Sequence, residues 1–185
     1  MNQNRLFTQL IATFVLIFST LTIPEESRAN HHPDYFCAKL HGVYRTFVNS
    51  ARGRLMIISY FNNPPRNWTN RDRCIEISQR FQAHYDHGNL QYIGTGYLNN
   101  QPVLCAVIYK GDPCRENNIL LTLTNGRNPT EEARRLLNRG FYAGRTLDLS
   151  GDEKLEIYRD GQTYYNLNLI LEMAQPVEEA VILVD

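Results

Sequence analysis

Residues 90–109 read LQYIGTGYLNNQPVLCAVIY. Two apolar, β-favouring runs flank Asn99-Asn100, and Asn tolerates the positive φ that a two-residue hairpin turn demands. The reading is therefore two antiparallel strands, Leu90 to Leu98 and Pro102 to Tyr109. Ile119 to Thr124 adds a third, giving an antiparallel meander. Gly94-Thr95-Gly96 inside the first strand lacks the lysine and the strand-to-helix setting of a phosphate loop. Glycine in a strand more often marks a bulge or close packing.

Upstream, Tyr35 to Leu40 and Val43 to Val48 read as strands around His41-Gly42, and Leu55 to Phe61 as a buried strand. A helix is expected from about Arg71 to His87, capped by Thr69 or Asn70 and ended by Gly88. Cys74, Ser78, Phe81 and Tyr85 fall on one face of it, with Ile77 beside them. Downstream, Asn128-Pro129-Thr130-Glu131 opens a second helix, which Gly140 stops. Leu155 to Tyr158, the turn Asp160-Gly161 and a strand from Thr163 to Leu171 close the domain. Pro176 to Asp185 reads as a loose tail. The expected fold is a small disulfide-bonded α+β domain with an antiparallel sheet and two main helices.

The chain has 185 residues, 43% hydrophobic and 21% charged, with 19 bases balancing 19 acids. Its mean hydropathy of −0.40 excludes a multi-span membrane protein. The charge balance speaks against nucleic-acid binding, which draws on net positive charge. Residues 1–29 have the pattern of a secretory signal: a short polar start with Arg5, an apolar run from Leu6 to Ile23, and Ser27-Arg28-Ala29 before the expected cut. The competing reading is a retained anchor. With cleavage, residues 30–175 form one domain, 176–185 the tail, and the mature chain has no transmembrane span.

Zero net charge hides an uneven distribution. From Arg45 to Arg80 seven arginines face Asp72 and Glu76, a local +5; from Asp148 to Asp185 nine acids face Lys154 and Arg159, a local −7. The segments either neutralise each other in the fold or leave an arginine face for a protein or membrane surface. Arg71, Arg73 and Arg80, with Trp68, are the candidates for such a surface. Trp68 can instead staple its loop to the helix that follows.

Cys37, Cys74, Cys105 and Cys114 all follow the leader, and an even count in an exported chain reads as two disulfides. Three pairings are possible. Cys105–Cys114 is favoured because the pair flanks the turn-like Lys110-Gly111-Asp112-Pro113, which leaves Cys37–Cys74. Tight zinc spacing is absent. His84 and His87 either share a metal or place protonatable groups near the helix end. Cleavage after Ala29 would expose Asn30-His31-His32, a sequence able to chelate Cu(II) through His32. No catalytic or cofactor-binding residue emerges.

The chain resembles the circadian oscillating polypeptide family of cyanobacteria over Phe36 to Leu171. The resemblance rests on Trp68-Thr69 followed by Arg71, Arg73 and Cys74, and on Ser78 with Arg80-Phe81. It continues in Leu90, Tyr92-Ile93 and Thr95-Gly96, in Asn99, Gln101-Pro102-Val103 and Cys105, and in Leu120-Leu121-Thr122-Leu123 before the Pro129 helix. Asn70 stands where that pattern has Pro, and Tyr60 lies where a Trp is expected nearby. The resemblance implies an exported cyanobacterial protein, peripheral to a membrane, of rhythmic abundance and with no assigned catalytic residue. Periplasm or thylakoid lumen is the implied compartment. Two functional classes follow: a non-enzymatic envelope module that binds a protein or membrane surface, and a small extracytoplasmic hydrolase, which would need clustered carboxylates or a nucleophile with its base.

Overall fold

A computed structural model describes residues 32–59, 68–123, 128–141 and 155–184. The expected leader (1–29) lies outside the described residues, as does Tyr60. All described residues belong to the unit His31–Asp185.

The domain is α+β with two antiparallel sheets. The first contains β1 (Asp34–Leu40), β2 (Val43–Ser50) and β3 (Gly53–Ser59), which follow one another as hairpins. His41 and Gly42 both take positive φ at the β1–β2 turn. A bulge between Thr46 and Phe47 lets Ile57 and Ile58 both turn inward. Helix α1 (Asn70–Asp86) covers the inner face of this sheet. Thr69 caps it: its hydroxyl accepts from the Asp72 N–H, and the Asp72 carboxylate accepts from Thr69. Cys74, Ile77, Ser78 and Phe81 form its buried stripe. Cys74 bonds to Cys37 of β1, fastening helix to sheet. Beside the bridge, Phe81 stacks on the buried Tyr35 ring with centroids 5.5 Å apart.

The second sheet holds the meander. Strands β4 (Tyr92–Leu98), β5 (Gln101–Val107) and β6 (Ile119–Thr122) are joined as expected, and Asn99 and Asn100 take φ of 48° and 61° at the first turn. The sheet then continues on the other side of β4 with β8 (Gln162–Asn166) and β7 (Glu156–Arg159), in the order β6-β5-β4-β8-β7. Helix α2 (Pro129–Phe141) lies against β3, β4 and β5. Its N-terminus is capped by Asn128, whose carbonyl Oδ1 accepts from Thr130 and Glu131. The main core joins both sheets and the helices through residues such as Ile57, Phe81, Ile93, Leu104 and Leu137.

The fold class is the expected one, a small disulfide-bonded α+β domain, with two antiparallel sheets and three α-helices among the described residues. Two expectations need correction. The strand expected from Thr163 to Leu171 ends at Asn166, whose side chain accepts from the Leu169 N–H and opens α3 (Leu167–Met173). Helix α3 buries Leu167 and Ile170. The segment expected as a loose tail returns to the first sheet. Val177 N–H donates to Arg54, and β9 (Ile182–Leu183) pairs with β1. Val177 and Val181 thereby cover Phe47, Met56 and their neighbours on the sheet's outer face. Apolar burial supplies the reason: without this cover, that cluster would meet water.

The outer face of the second sheet is covered differently. The loop after β5 folds back over it, and the Cys105–Cys114 bridge holds it there. Val103, Cys105, Val107, Cys114 and Tyr164 form a small core of their own. The G-x-G sequence makes room for this. A Cβ at Gly94 would sit 3.2 Å from Cys105 Sγ, and one at Gly96 would sit 3.1 Å from Cys114 Sγ. Closing the short loop with a bridge of sequence separation 9 contributes about 2–3 kcal/mol by the loop-entropy relation. Alanine at Gly94 or Gly96 should cost about 1–3 kcal/mol through overpacking. Denaturant unfolding would check this: the cost should shrink when Cys105 and Cys114 are both Ala, and an unchanged cost would mean that the bridge is not what the glycines accommodate.

Candidate functional site

The candidate surface on α1 resolves into separate environments. Positions 73 and 80 share one side of the helix and position 71 faces the other way, since 3.6 residues make one turn. The Arg73 guanidinium donates to the Thr122 carbonyl at 3.1 Å, tying α1 to β6. Arg80 pairs with Glu76 one turn back. Arg71 is exposed, 3.9 Å from Asp72. The Asp72 carboxyl is held below the usual carboxylate range, chiefly by the Thr69 hydroxyl, then by the Thr69 N–H, and least by Arg71. Trp68 is 40% exposed at the helix start. These four residues do not form one continuous face.

The uneven charge along the chain partly closes on itself, and through main-chain atoms more than carboxylates. Arg52 donates to the carbonyls of Leu171 and Glu172, and Arg54 donates to the carbonyl of Glu179. Those carbonyls lie at the end of α3 and in the acidic C-terminal segment. His41 pairs with the Glu179 carboxylate. The arginines thus hold down the segment that covers the first sheet.

The histidines near the end of α1 also separate. His87 Nδ1 lies 2.5 Å from the Ala83 carbonyl, at the helix C-cap. His32 sits edge-on to Tyr85 and 3.5 Å from the Asp86 carboxylate. Asn30 and His31, the other parts of the copper motif, lie outside the described residues. No cluster of metal-ligating side chains occurs among the described residues.

His84 has a different setting. It lines a cleft of about 270 Å³ between the end of α1 and the disulfide-held loop. The 108–118 loop brings Asp112, Arg115, Asn117 and Asn118 to the cleft, and Asn89 enters from the turn after α1. One wall is the apolar end of β5, Ala106 to Ile108. Local hydrogen bonds set the loop's shape. Tyr109 N–H donates to Asp112 Oδ2 at 2.9 Å, and Asp112 N–H donates to the Tyr109 carbonyl. Arg115 N–H donates to Asn118 Oδ1 at 2.7 Å, and Asn118 Nδ2 donates to the Pro113 carbonyl. A short 3-10 turn at Glu116–Asn118 leads into β6. Asp112 and Arg115 are the charged residues of the cleft at neutral pH, and they make no ion pair with each other. Burial lowers the His84 pKa below its ordinary 6.5, helped by His87 and Arg80. Of these residues only His84 stood out in the sequence. Lys110-Gly111-Asp112-Pro113 was legible as a turn, but not as the wall of a cleft.

The geometry defines a two-sheet α+β domain with one disulfide in its scaffold and the other pinning a polar-edged loop. Residues 34–172 match the family described as circadian oscillating protein COP23, and the chain belongs to that family. No curated protein and no solved structure matches it. No helix among the described residues is long and apolar enough to cross a membrane.

The lowered His84 pKa has a consequence for stability. The fold favours the neutral ring, so stability is greatest above the unfolded-state pKa and falls as pH drops through the folded-state value. An NMR titration should place the His84 midpoint below that of an unstructured histidine, and His84→Gln should reduce the loss of stability between about pH 7 and 5. A midpoint at or above the ordinary value would contradict the cleft environment.

Proposed function

We propose that this COP23-family chain is an exported cyanobacterial envelope protein that acts as a non-enzymatic binding module, of rhythmic abundance and peripheral to a membrane. The observation that carries the reading is the 108–118 loop. It is locked to the sheet by Cys105–Cys114, and it sets the exposed Ile108 and Tyr109 beside a polar cleft. Binding residues on loops held by a rigid scaffold are a common solution, and tyrosine and arginine are favoured at interfaces. Export fits the leader pattern of residues 1–29 and the two disulfides, which persist in oxidising compartments. The family description supports the rhythmic abundance.

A photoactivatable residue at position 109, in the chain expressed in its exporting host, tests the binding surface. The expected product is one discrete adduct with an envelope component, absent when the probe is placed at the exposed Leu183 on β9. Diffuse labelling of equal intensity from both positions would remove the loop as the binding surface.

A further inference from the structure

We infer that the cleft beside the 108–118 loop takes a small dipolar ligand carrying both an ammonium and a carboxylate group, of the size and class of a free α-amino acid. This rests on the reading of the loop as a binding surface and names the chemistry that the cleft would accept.

Charge arrangement is the first argument. Asp112 and Arg115 line the same cleft without forming an ion pair with each other. Asp112 Oδ2 is held by the Tyr109 N–H, which fixes the carboxylate and leaves Oδ1 available. The Arg115 main chain is tied to Asn118, while its guanidinium makes no ion pair among the described residues. A simple anion would meet Arg115 but be repelled by Asp112, and a simple cation the reverse. A ligand with both charges satisfies both, and a guanidinium offers a carboxylate two parallel hydrogen bonds.

The remaining walls point the same way. His84 is neutral at neutral pH and adds no charge, so the cleft's formal charges cancel. Asn89 and Asn117 contribute amide donors and acceptors. The Ala106–Ile108 wall offers a short apolar surface, suited to a Cα and a small side chain. A volume of about 270 Å³ lies just below the usual range for ligand pockets, which suits a ligand of amino-acid size.

The test is an amide-NMR titration of the purified, disulfide-bonded full chain with glycine and L-alanine. N-acetylglycine, glycinamide and inorganic phosphate serve as probes lacking one charge or both features. The expected result is saturable movement of the Asp112, Arg115 and Asn118 amide signals with the amino acids. N-acetylglycine and glycinamide should bind at least about tenfold more weakly, as the loss of one charged hydrogen bond implies. Arg115→Gln and Asp112→Asn should each weaken the amino acids by a similar factor. The Asp112→Asn side chain keeps a carbonyl oxygen to accept from the Tyr109 N–H, so the loop keeps its shape. No saturable movement up to about 50 mM, or equal responses to phosphate or the singly charged analogues, would overturn the inference. The analogue comparison uses the unaltered chain and does not depend on how the variants fold. Loss of the amino-acid response with the position-109 adduct retained defeats the ligand class alone; loss of the adduct defeats the binding-module reading itself.

Discussion

The Cys105–Cys114 bridge rests on two glycines, and the outer half of the second sheet is arranged around that contact. Gly94 and Gly96 remove the side chains that would otherwise stand under the sulfurs, at 3.2 Å and 3.1 Å. With the bridge seated, the chain between β5 and β6 must double back over β4 and β5. Doing so closes a small core around Val103, Val107 and Tyr164 and raises Asp112 and Arg115 to the edge of a cleft. The inner face of the same strands belongs to the main core, through Ile93, Leu104 and Ala106. Each strand therefore serves two cores, one on either side of its pleat.

The other bridge does a separate job. Cys37–Cys74 crosses a sequence separation of 37 and joins the first sheet to α1, worth about 4 kcal/mol by the loop-entropy relation. Arg73 extends that anchorage from α1 to β6. Arg52 and Arg54 draw the C-terminal segment across the first sheet. The result is a scaffold cross-linked independently of the loop that it displays.

How far the sequence revealed this depends on the range of the interactions concerned. Asn99-Asn100, the Thr69 cap and the Asn128-Pro129 helix start are local signals, and each has the expected structure. The meander followed from them. The break at Asn166 was also local, but Tyr164-Tyr165 and the leucines after it read as one strand because aromatic and aliphatic residues suit both states. The return of residues 176–184 to the first sheet was not legible. It depends on Phe47 and Met56, distant in sequence, needing cover. The cleft was hidden for the same reason: His84, Asn89 and Arg115 come from separate segments and share no spacing. The arginine segment left two readings open, since composition reports charge and cannot report that Arg52 and Arg54 bind carbonyls.

The Cys105–Cys114 bridge holds a loop on a scaffold that stands without it. Amide hydrogen exchange of the oxidised chain and of the Cys105→Ala/Cys114→Ala variant tests it most directly. The amides of Asp112 and Asn118 should lose protection by at least about tenfold in the variant, while those of α1 and β4 keep theirs. Equal loss throughout α1 and β4, or unchanged protection in the loop, would contradict it.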